Sequence, residues 1–400
     1  MRIGVVSQYF PPEPGATQNR LGAFVDGLAA RGHEIDVVCE QPNHPAGVFH
    51  PGFGRRPLQV ERDGGVTIRR VWVAASPVKT TARRLAFYGT FALGAAATVA
   101  AARRPDVLFA STPPLPGVLG VAAAARARRI PLVVDVRDLW PAAAEALGEL
   151  SNARLLAAFE RAERGLYRQA AAVTATTRPF CAHIDAKAGE AKSVHLPNGA
   201  LDSLVALPAS EPPPRDPFTI GYAGNLGIAQ GLGIALDAAE LLRDHAPVRF
   251  VLLGDGPLKR ELEADAERRG LTGVEFRPGV PVDEVAAFLQ SCHALLVPLR
   301  DHPLLGEFIP SKLYDAMAVG RPALVALRGE GAALATETGA GIVVPPEDGA
   351  ALAAAVRRLL EEDGLAGRLG RAGREAAKGL ARSRQVDTLE AVLREASCAG

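Results

Sequence analysis

Short apolar runs alternate with longer stretches of helical periodicity along most of the chain. In the first half, the runs predict strands at residues 2–7, 34–39, 67–73, 106–110, 131–136 and 172–176. In the second half, they predict strands at 218–223, 248–254, 274–277, 294–298, 322–326 and 341–344. Helical stretches separate the strands, such as 19–31, which is followed by Gly32, a residue suited to a helix end. This alternation predicts the α/β class, with parallel sheets covered by helices.

The alternation is interrupted at residues 210–217 and then starts again. This segment contains four prolines, which fit neither a helix interior nor a central strand. We therefore predict two domains, at 1–208 and 209–380, and the length of 400 residues suits two cores of ordinary size. The tail at 349–396 is predicted to form three helices, and we expect residues 381–400 to return to the first domain. The carboxyl ends of both sheets are expected to face a shared cleft, where ligands of such sheets bind.

Composition and motif content exclude several classes of function. The chain has 45 basic and 44 acidic side chains and a net charge of +1, so nothing favours nucleic-acid binding. Its four cysteines form no Cys/His cluster, which argues against a zinc site and for a reducing compartment. A strand-like run begins directly after Met1 and Arg2 and leaves no room for a signal peptide, so we expect a cytoplasmic protein. Hydrolase, P-loop and zincin motifs (GxSxG, GxxxxGKS/T, HExxH) are absent from the sequence.

One uncharged run at residues 85–102 has the length of a membrane span. It is bracketed by Arg83–Arg84 and Arg103–Arg104, and eight of its eighteen residues are Ala, with four more Gly or Thr. This composition makes the run weakly hydrophobic for its length. Three interpretations stay open: a true span, a buried helix of the domain, and a helix that docks the protein peripherally on the inner membrane.

The densest candidate motif lies at residues 307–322. Pro310 and Ser311 suit a helix start, and Gly320 suits its end. The amino end of such a helix carries free N–H groups and positive dipole character, and Lys312 adds a full charge in the first turn. Together these groups predict an anion site that fits a diphosphate.

Two carboxylates flank this anion site. Asp315 lies about one turn after Lys312, where it can accept hydrogen bonds from ribose hydroxyls. Glu307 lies in the loop before the helix, where it can reach a sugar hydroxyl or the reacting carbon. The alternative is a helix whose charged side chains are merely solvated.

Residues 307–315 resemble the Glu-x7-Glu signature of glycosyltransferase family 4, with Asp315 in place of the second Glu. Segments 9–16, 135–141, 197–199, 221–227 and 253–257 also resemble family landmarks, in family order. The likeness is strongest to the subgroup with fucosamine transferases and other sugar transferases of O-antigen, capsule and exopolysaccharide assembly. It implies the GT-B fold, in which two Rossmann-like domains face each other across a cleft. It also implies catalysis with no metal or other cofactor, and retention of the donor's anomeric configuration.

The function implied by this resemblance is that of a retaining hexosyltransferase. The donor would be a nucleotide-diphosphate sugar. By analogy the nucleoside would be uridine, and the transferred sugar would be a hexose or an N-acetylamino sugar. The acceptor would be a lipid-linked or other glycan of cell-surface polysaccharide biosynthesis, at the inner face of the cytoplasmic membrane. Two alternatives stay open, an isomerase similar to nucleotide-sugar 2-epimerases and a non-catalytic nucleotide-sugar-binding protein.

The family's site residues carry over to matching positions of this chain. Gly15 would let backbone N–H groups approach the diphosphate. Glu307 would contact the donor sugar, Ser311 and Lys312 the phosphates, and Asp315 the ribose.

Two departures from the family pattern matter. Asn225 and Gln230 stand where many members carry Arg and Lys that neutralise the leaving diphosphate, which places more weight on Lys312. Arg137 stands where many relatives carry His, and Arg cannot serve as a base near neutral pH. Asp138 keeps its place, where it can orient the acceptor or accept its proton, or else cap the following helix.

Two further segments are donor-site candidates. Gly254 and Asp255 are predicted to form a strand-to-helix turn near the donor phosphates or sugar, although Lys259 stands where a dinucleotide fingerprint needs its third glycine. Segment 277–280, which includes Gly279, is predicted to lie against the nucleotide base through backbone atoms.

A long loop in the first half supplies candidates for the acceptor. Asn43 and His44 lie in this loop and are predicted, with Arg137, to contact the acceptor. Packing within the loop is the alternative for both Asn43 and His44.

Overall fold

The computed structural model describes residues 1–398 apart from 14, 45, 79, 143–144, 146–151, 211–213, 215 and 246. The chain divides into two compact units, Met1–Asn198 with Arg382–Gly400, and Gly199–Ala381. The division lies upstream of the predicted boundary at 208/209, because Ala200 and Leu204 are buried in the core of the second unit. The proline-rich segment predicted as the linker falls within the second unit's range, and its residues 211–213 and 215 lie outside the described residues.

The first unit is built on an eight-stranded sheet. Its strands are β1 Arg2–Val6, β2 Glu34–Glu40, β3 Leu58–Asp63, β4 Val66–Val71, β5 Val107–Thr112, β6 Leu132–Val136, β7 Ala172–Ala175 and β8 Ser193–His195. Their order is β3-β4-β2-β1-β5-β6-β7-β8. All neighbours pair in parallel except β3 and β4, which form an antiparallel hairpin at one edge. The helices described are α1 Ala16–Ala30, α2 Thr81–Ala101, α3 Leu115–Ala127, α4 Ala153–Gln169 and α5 Arg178–Ala188.

The second unit carries a six-stranded, wholly parallel sheet in the order β11-β10-β9-β12-β13-β14. The strands are β9 Phe218–Ala223, β10 Val248–Leu253, β11 Val274–Arg277, β12 Ala294–Pro298, β13 Ala323–Ala326 and β14 Gly341–Val344. The helices described are α6 Asp202–Val205, α7 Gly233–Leu242, α8 Lys259–Arg268, α9 Val282–Ser291, α10 Ser311–Val319, α11 Glu330–Thr338, α12 Gly349–Glu361 and α13 Leu365–Gly379. Apolar clusters fill both faces of this sheet. The predicted α/β class with two parallel sheets is confirmed.

The last helix, α14 Arg382–Cys398, belongs to the first unit. Its buried residues Val386, Leu389 and Leu393 join the apolar cluster of α1 and β1. Glu390 on the same helix binds Arg31 and His33, at 3.0 Å in each case. The chain therefore leaves the first unit, builds the second, and returns to pack against α1.

The weakly hydrophobic run at 85–102 lies almost entirely within α2. Phe91, Ala95 and Val99 are buried against the rest of the first unit, whereas Leu93 on the opposite side is 75% exposed. Among the residues described, α2 is the one helix whose length and composition would allow it to cross a membrane. One of its faces packs as a domain helix does, and the other is an exposed, uncharged surface.

Candidate functional site

The helix predicted to start at Pro310 and Ser311 and to end at Gly320 is present as α10, Ser311–Val319. Pro310 precedes it, and Gly320 ends it in the left-handed conformation with φ 71°. Leu313, Tyr314 and Met317 are fully buried in the core of the second unit, so the helix is held firmly. Because α10 follows β12, its amino end lies at the carboxyl edge of the sheet, where ligands of parallel sheets bind.

Lys312 lies in the first turn of α10 against the end of β9. A Cβ atom at Gly224 would be 2.7 Å from its Cε and 2.8 Å from its Nζ, so the lysine occupies the space that Gly224 leaves. Its ammonium also lies 5.1 Å from the centre of the Tyr222 ring, within cation–π range. Burial lowers the pKa of Lys312, and the nearby carboxylate of Asp315 acts in the opposite direction. This cation forms no ion pair with the residues that the structure describes.

The loops after β9 and β10 pack against each other beside this lysine. Gly254 lies so close to the carbonyl oxygen of Gly224 that any Cβ would collide with it. The N–H of Leu226 donates to the carbonyl of Asp255 at 2.9 Å, which ties the two loops together. Gly254, a predicted donor-site residue, and Gly224 therefore form a closely packed backbone surface beside Lys312 of α10.

Asp255 is held by a cation and a backbone group. Its carboxylate accepts from Lys259 Nζ at 2.9 Å and from the N–H of Gly279 at 3.2 Å. These hydrogen bonds, that of Lys259 first, lower the pKa of Asp255. The N–H of Gly279 is thus engaged by the protein. Asn225 lies exposed in the adjacent loop, with its side chain near Gly256.

The remaining predicted donor residues lie on one continuous stretch. Glu307 ends a short 3-10 turn, Pro303–Glu307, and is half-buried. Within the described part of the chain its carboxylate has no hydrogen bond or ion pair, so a ligand hydroxyl is a suitable partner. Ser311 is the first residue of α10, and Asp315 lies one turn after Lys312. The structure thus brings Glu307, Ser311, Lys312 and Asp315 together around the amino end of one helix.

In the first unit, Gly15 stands directly before α1. It adopts φ 154°, and its carbonyl accepts from the N–H of Asn19 at 3.0 Å. The position fits the predicted phosphate role, because the free N–H groups of the first helical turn follow it. Gly15 lies in a different unit from Lys312.

Arg137 follows β6 and is held by other residues of the protein. Its Nε donates to Ser111 Oγ at 2.9 Å, and its Nη1 donates to Thr17 Oγ1. The distance from Nε to Asp135 Oδ2 is 3.7 Å. Burial lowers the pKa of Arg137 to about 10, so it remains charged at neutral pH. Two of its nitrogens thus hold it to the protein, whereas Nη2 is buried with no hydrogen-bond partner among the described residues.

Asp138, the next residue, lies in a different environment. Its Oδ1 atom is buried and has no hydrogen-bond partner among the described residues. Burial raises the pKa of Asp138 to about 6, although the charge of Arg137 opposes the shift. This carboxylate can therefore exchange a proton near neutral pH. Much of the segment after it, where a capped helix was the alternative prediction, lies outside the described residues, at 143–144 and 146–151.

Asn43 and His44 are fixed by a buried carboxylate. The backbone N–H groups of both residues donate to Glu13 Oε1, at 2.6 and 2.7 Å. The Asn43 amide also donates to Glu40 at 2.8 Å, and the His44 ring lies 5.5 Å from that of Tyr9. Loop packing thus accounts for most of the hydrogen bonds of Asn43, although this residue also lines a cavity of about 310 Å³.

Family comparisons match both units. A model described as group 1 glycosyl transferases matches residues 217–362, and one described as a glycosyl transferase 4-like domain matches residues 15–199. The chain belongs to the group 1 glycosyltransferases. It is similar to the putative colanic acid biosynthesis glycosyl transferase WcaI of Escherichia coli K12, with 29% identity over 382 residues, 90% of this chain and 92% of WcaI.

Two further comparisons cover a part of the chain and the fold. The O-antigen chain mannosyltransferase C of Escherichia coli is 30% identical over 150 residues, 37% of this glycosyltransferase and 38% of the relative. The crystal structure of HepE from Anabaena in complex with UDP matches with a TM-score of 0.71 at 17% identity, over 98% of this chain and 100% of HepE. The likeness to HepE supports the GT-B class of fold.

Sequence reasoning overlooked two side chains that shape the sites of this glycosyltransferase. Tyr222 lies at the end of β9 and faces Lys312, a contact between residues far apart in sequence. Arg20 in α1 is fully buried and donates to Asp135 at 3.1 Å and to the carbonyls of Leu196 and Pro197. Arg20 thereby connects two family-like segments that are far apart in sequence, 135–141 and 197–199.

Proposed function

We propose that this glycosyltransferase transfers a hexose-type sugar, including an N-acetylamino sugar, from a uridine diphosphate donor. The acceptor is a glycan of cell-surface polysaccharide assembly, and the anomeric configuration is retained. WcaI, by its name a colanic acid transferase, and the HepE structure with bound UDP support this choice. The observation that carries the proposal is Lys312, a half-buried cation with no ion pair to the described residues, at the amino end of α10.

Lys312 is proposed to neutralise the leaving diphosphate. Transfer breaks the bond between the anomeric carbon and the β-phosphate oxygen, and negative charge grows on that oxygen. An ammonium and helix N–H groups fixed before the reaction stabilise this charge without reorganising. The neighbouring loop carries neutral Asn225 and Gln230, and Lys259 is paired with Asp255. Lys312 is therefore proposed to supply the positive charge that a metal ion provides in other transferases.

The two carboxylates of the donor site are assigned to hydroxyl groups. Glu307 is proposed to accept from a hydroxyl of the donor sugar, and Asp315 from the ribose. A carboxylate that loses its water on ligand binding needs such donors to offset its desolvation. These contacts orient the anomeric carbon toward the acceptor.

Asp138 is proposed to act on the acceptor side. Its raised pKa suits a group that orients the acceptor hydroxyl and takes its proton as the new glycosidic bond forms. The leaving phosphate is the alternative proton acceptor in a retaining transfer. Arg137, held by Ser111 and Thr17, is proposed to position the Asp138 segment.

The acceptor is proposed to be lipid-linked and the protein cytoplasmic, with peripheral contact at the inner membrane. Arginine pairs stand at both ends of α2, and its outer face is uncharged. Basic residues beside an apolar helix face favour an anionic lipid surface.

A thermal-shift panel tests the donor assignment. UDP, GDP, TDP and NAD are each added to the full-length protein, with and without chelator. A ligand at 100 times its dissociation constant stabilises by about 2.7 kcal/mol, a visible shift. We expect selective stabilisation by UDP that the chelator does not change, followed by transfer from UDP-sugars. Stabilisation by NAD alone, or by none of the four ligands, would overturn the proposal.

A further inference from the structure

The candidate donor site in the second unit holds little positive charge for a diphosphate. Lys312 supplies one charge, and Asn225 and Gln230 in the loop after β9 are neutral. Lys259 is paired with Asp255 at 2.9 Å. A nucleoside diphosphate carries more than one negative charge, and a charge that leaves water needs a partner. A second cation at the carboxyl edge of this sheet would meet that need.

Arg300 lies at this edge, against the same loop. It follows β12, which pairs directly with β9. Its N–H donates to the carbonyl of Ala229 at 3.0 Å. Gly231 adopts φ 58°, and a Cβ atom there would lie 3.3 Å from Cγ of Arg300. Segment 224–231 thus has Lys312 against its first residue and Arg300 against its last.

Glu347 holds one edge of the Arg300 guanidinium. Its Oε1 lies 3.4 Å from Nε of Arg300, and its Oε2 accepts from the N–H of Asp301 at 3.0 Å. Glu347 adopts φ 60°, a conformation that residues with a side chain rarely adopt and that is concentrated at ligand sites. Because the ion pair uses Nε, the two terminal nitrogens of Arg300 have no partner among the residues that the structure describes.

The other acidic side chain beside Arg300 is already engaged. Both carboxylate oxygens of Asp301 accept from Nε of Arg328, at 3.1 and 3.3 Å. Asp301 is therefore held by another cation. The side chain of Arg300 is 53% exposed, so a ligand can reach it. Two adjacent N–H groups of a guanidinium match two oxygens of a phosphate, which makes arginine well suited to this ligand.

We propose that Arg300 is a second diphosphate-binding residue of the donor site. Its terminal nitrogens bind oxygens of the β-phosphate that Lys312 also contacts, while Glu347 holds Nε and orients the guanidinium. Lys312 and the N–H groups of α10 fix the phosphate, and the half-exposed Arg300 binds a phosphate that is already in place. This inference rests on the proposed function and adds a residue to its donor site.

Calorimetric titration of UDP and UMP into the full-length protein, in EDTA, tests the inference. Arg300→Gln should weaken UDP binding by about three- to tenfold, because a half-exposed charge-assisted hydrogen bond is lost. UMP, which lacks the β-phosphate, should bind as it does to wild type. Arg300→Lys keeps the charge but not the planar fork and should give an intermediate UDP affinity. Unchanged UDP affinity in Arg300→Gln, or an equal loss for UDP and UMP, would overturn the inference.

Arg358→Gln is the matched control in the same unit. Arg358 is 54% exposed and is paired through Nε with Glu362 at 2.6 Å, which closely resembles the pair of Arg300 and Glu347. It lies in the last turn of α12, and the neighbouring Arg357 donates to the carbonyl of Leu241 near the end of α7. Arg358→Gln should leave UDP affinity unchanged. A loss equal to that of Arg300→Gln would show only a general effect of net charge and would refute the assignment.

A double variant tests whether Arg300 and Lys312 act on the same phosphate. Residues that share one partner are not additive, so Arg300→Gln added to Lys312→Ala should cause little further loss of UDP affinity. The full three- to tenfold loss in the double variant would mean that the two cations act at separate places, and the shared phosphate would be wrong.

The wild-type titration separates this inference from the proposed function. A wild-type protein that prefers UDP to UMP, with the same preference in Arg300→Gln, would remove Arg300 from the donor site and leave the donor proposal standing. A wild-type protein that binds no UDP and transfers no sugar would overturn the proposed function and this inference with it. Unchanged UMP affinity in the variants shows that they are folded.

Discussion

Arg20 connects three segments of the first unit through fully buried contacts. Its guanidinium donates to Asp135 at 3.1 Å, to the carbonyl of Leu196 at 2.9 Å and to that of Pro197 at 2.6 Å. It also lies 4.6 Å from the ring of Phe24. Neither Arg20 nor Asp135 has exposed surface. We predict that Arg20→Met strongly destabilises the first unit.

The loss of stability depends on the buried carboxylate of Asp135, which the substitution leaves without its ion-pair partner. Breaking a buried ion pair by removing one partner costs about 3–5 kcal/mol, because the other charge stays buried. Asp135 retains hydrogen bonds from Ser111 and Thr174, both at 2.9 Å, which argues for the lower end of that range. For a unit of about 150–250 residues, each kcal/mol shifts Tm by roughly 2–4 °C. A loss of about 3 kcal/mol therefore lowers Tm by roughly 6–12 °C.

Differential scanning calorimetry with and without UDP is the assay. UDP stabilises the unit that binds it, which helps to assign each melting transition to its unit when the two units melt at different temperatures. Arg20→Lys is the comparison, because it keeps the charge but loses the planar fork that reaches three acceptors at once. We expect Tm to fall in the order wild type, Arg20→Lys, Arg20→Met. An Arg20→Met protein that melts within 2 °C of wild type would refute the argument.

Two further predictions concern the sites. Gly224→Ala places a methyl group 2.7 Å from Lys312 Cε and should weaken UDP binding at least tenfold, because it displaces the lysine. Gly233→Ala is the control, because its methyl group enters open space and should leave UDP affinity unchanged. Calorimetric titration measures the UDP affinity of both variants. Burial raises the pKa of Asp138 to about 6, so turnover that needs its carboxylate should fall below pH 6, and Asp138→Asn should remove this limb from the pH profile of kcat/KM. Because the folded-state pKa is raised, ionisation of Asp138 costs stability as pH rises from about 4 to 6. The melting temperature of Asp138→Asn should therefore exceed that of wild type above pH 6 and approach it in acid. A difference in melting temperature that widens toward low pH would contradict the raised pKa of Asp138.

Most of the strand pattern was predictable because the strands of a parallel sheet are buried on both faces and form short apolar runs. Two strands were missed for the opposite reason. The edge strand β3, Leu58–Asp63, contains four polar residues and is mostly exposed. The strand β8, Ser193–His195, has only three residues, all half-buried. Neither strand buries enough apolar surface to produce a sequence signal.

The candidate donor site was predictable where its residues are close together in sequence. Pro310 and Gly320 mark the ends of α10, and Lys312 and Asp315 lie one turn apart on it. The surroundings of Lys312 were not predictable, because Gly224 and Tyr222 come from β9 and meet it only through the sheet.

The domain boundary was misplaced for a similar reason. The proline-rich segment gives a strong local signal, but the residues before it are already part of the second unit. Ala200 and Leu204 are buried in that unit's core, and the N–H of Ala200 donates to the carbonyl of Leu380 at 2.8 Å. Only long-range packing reveals this.

Lys312 and the amino end of α10 are proposed to bind the diphosphate of a nucleotide-sugar without a metal ion. The most direct test is calorimetric titration of UDP and UMP, in EDTA, into wild-type protein, Lys312→Ala and the control Lys378→Ala, which removes a lysine from the surface of the same unit. We predict that UDP binds wild type and the control at least tenfold more tightly than UMP, and that Lys312→Ala reduces this preference to near unity. An unchanged preference in Lys312→Ala, or UDP binding that disappears in EDTA, would contradict the claim.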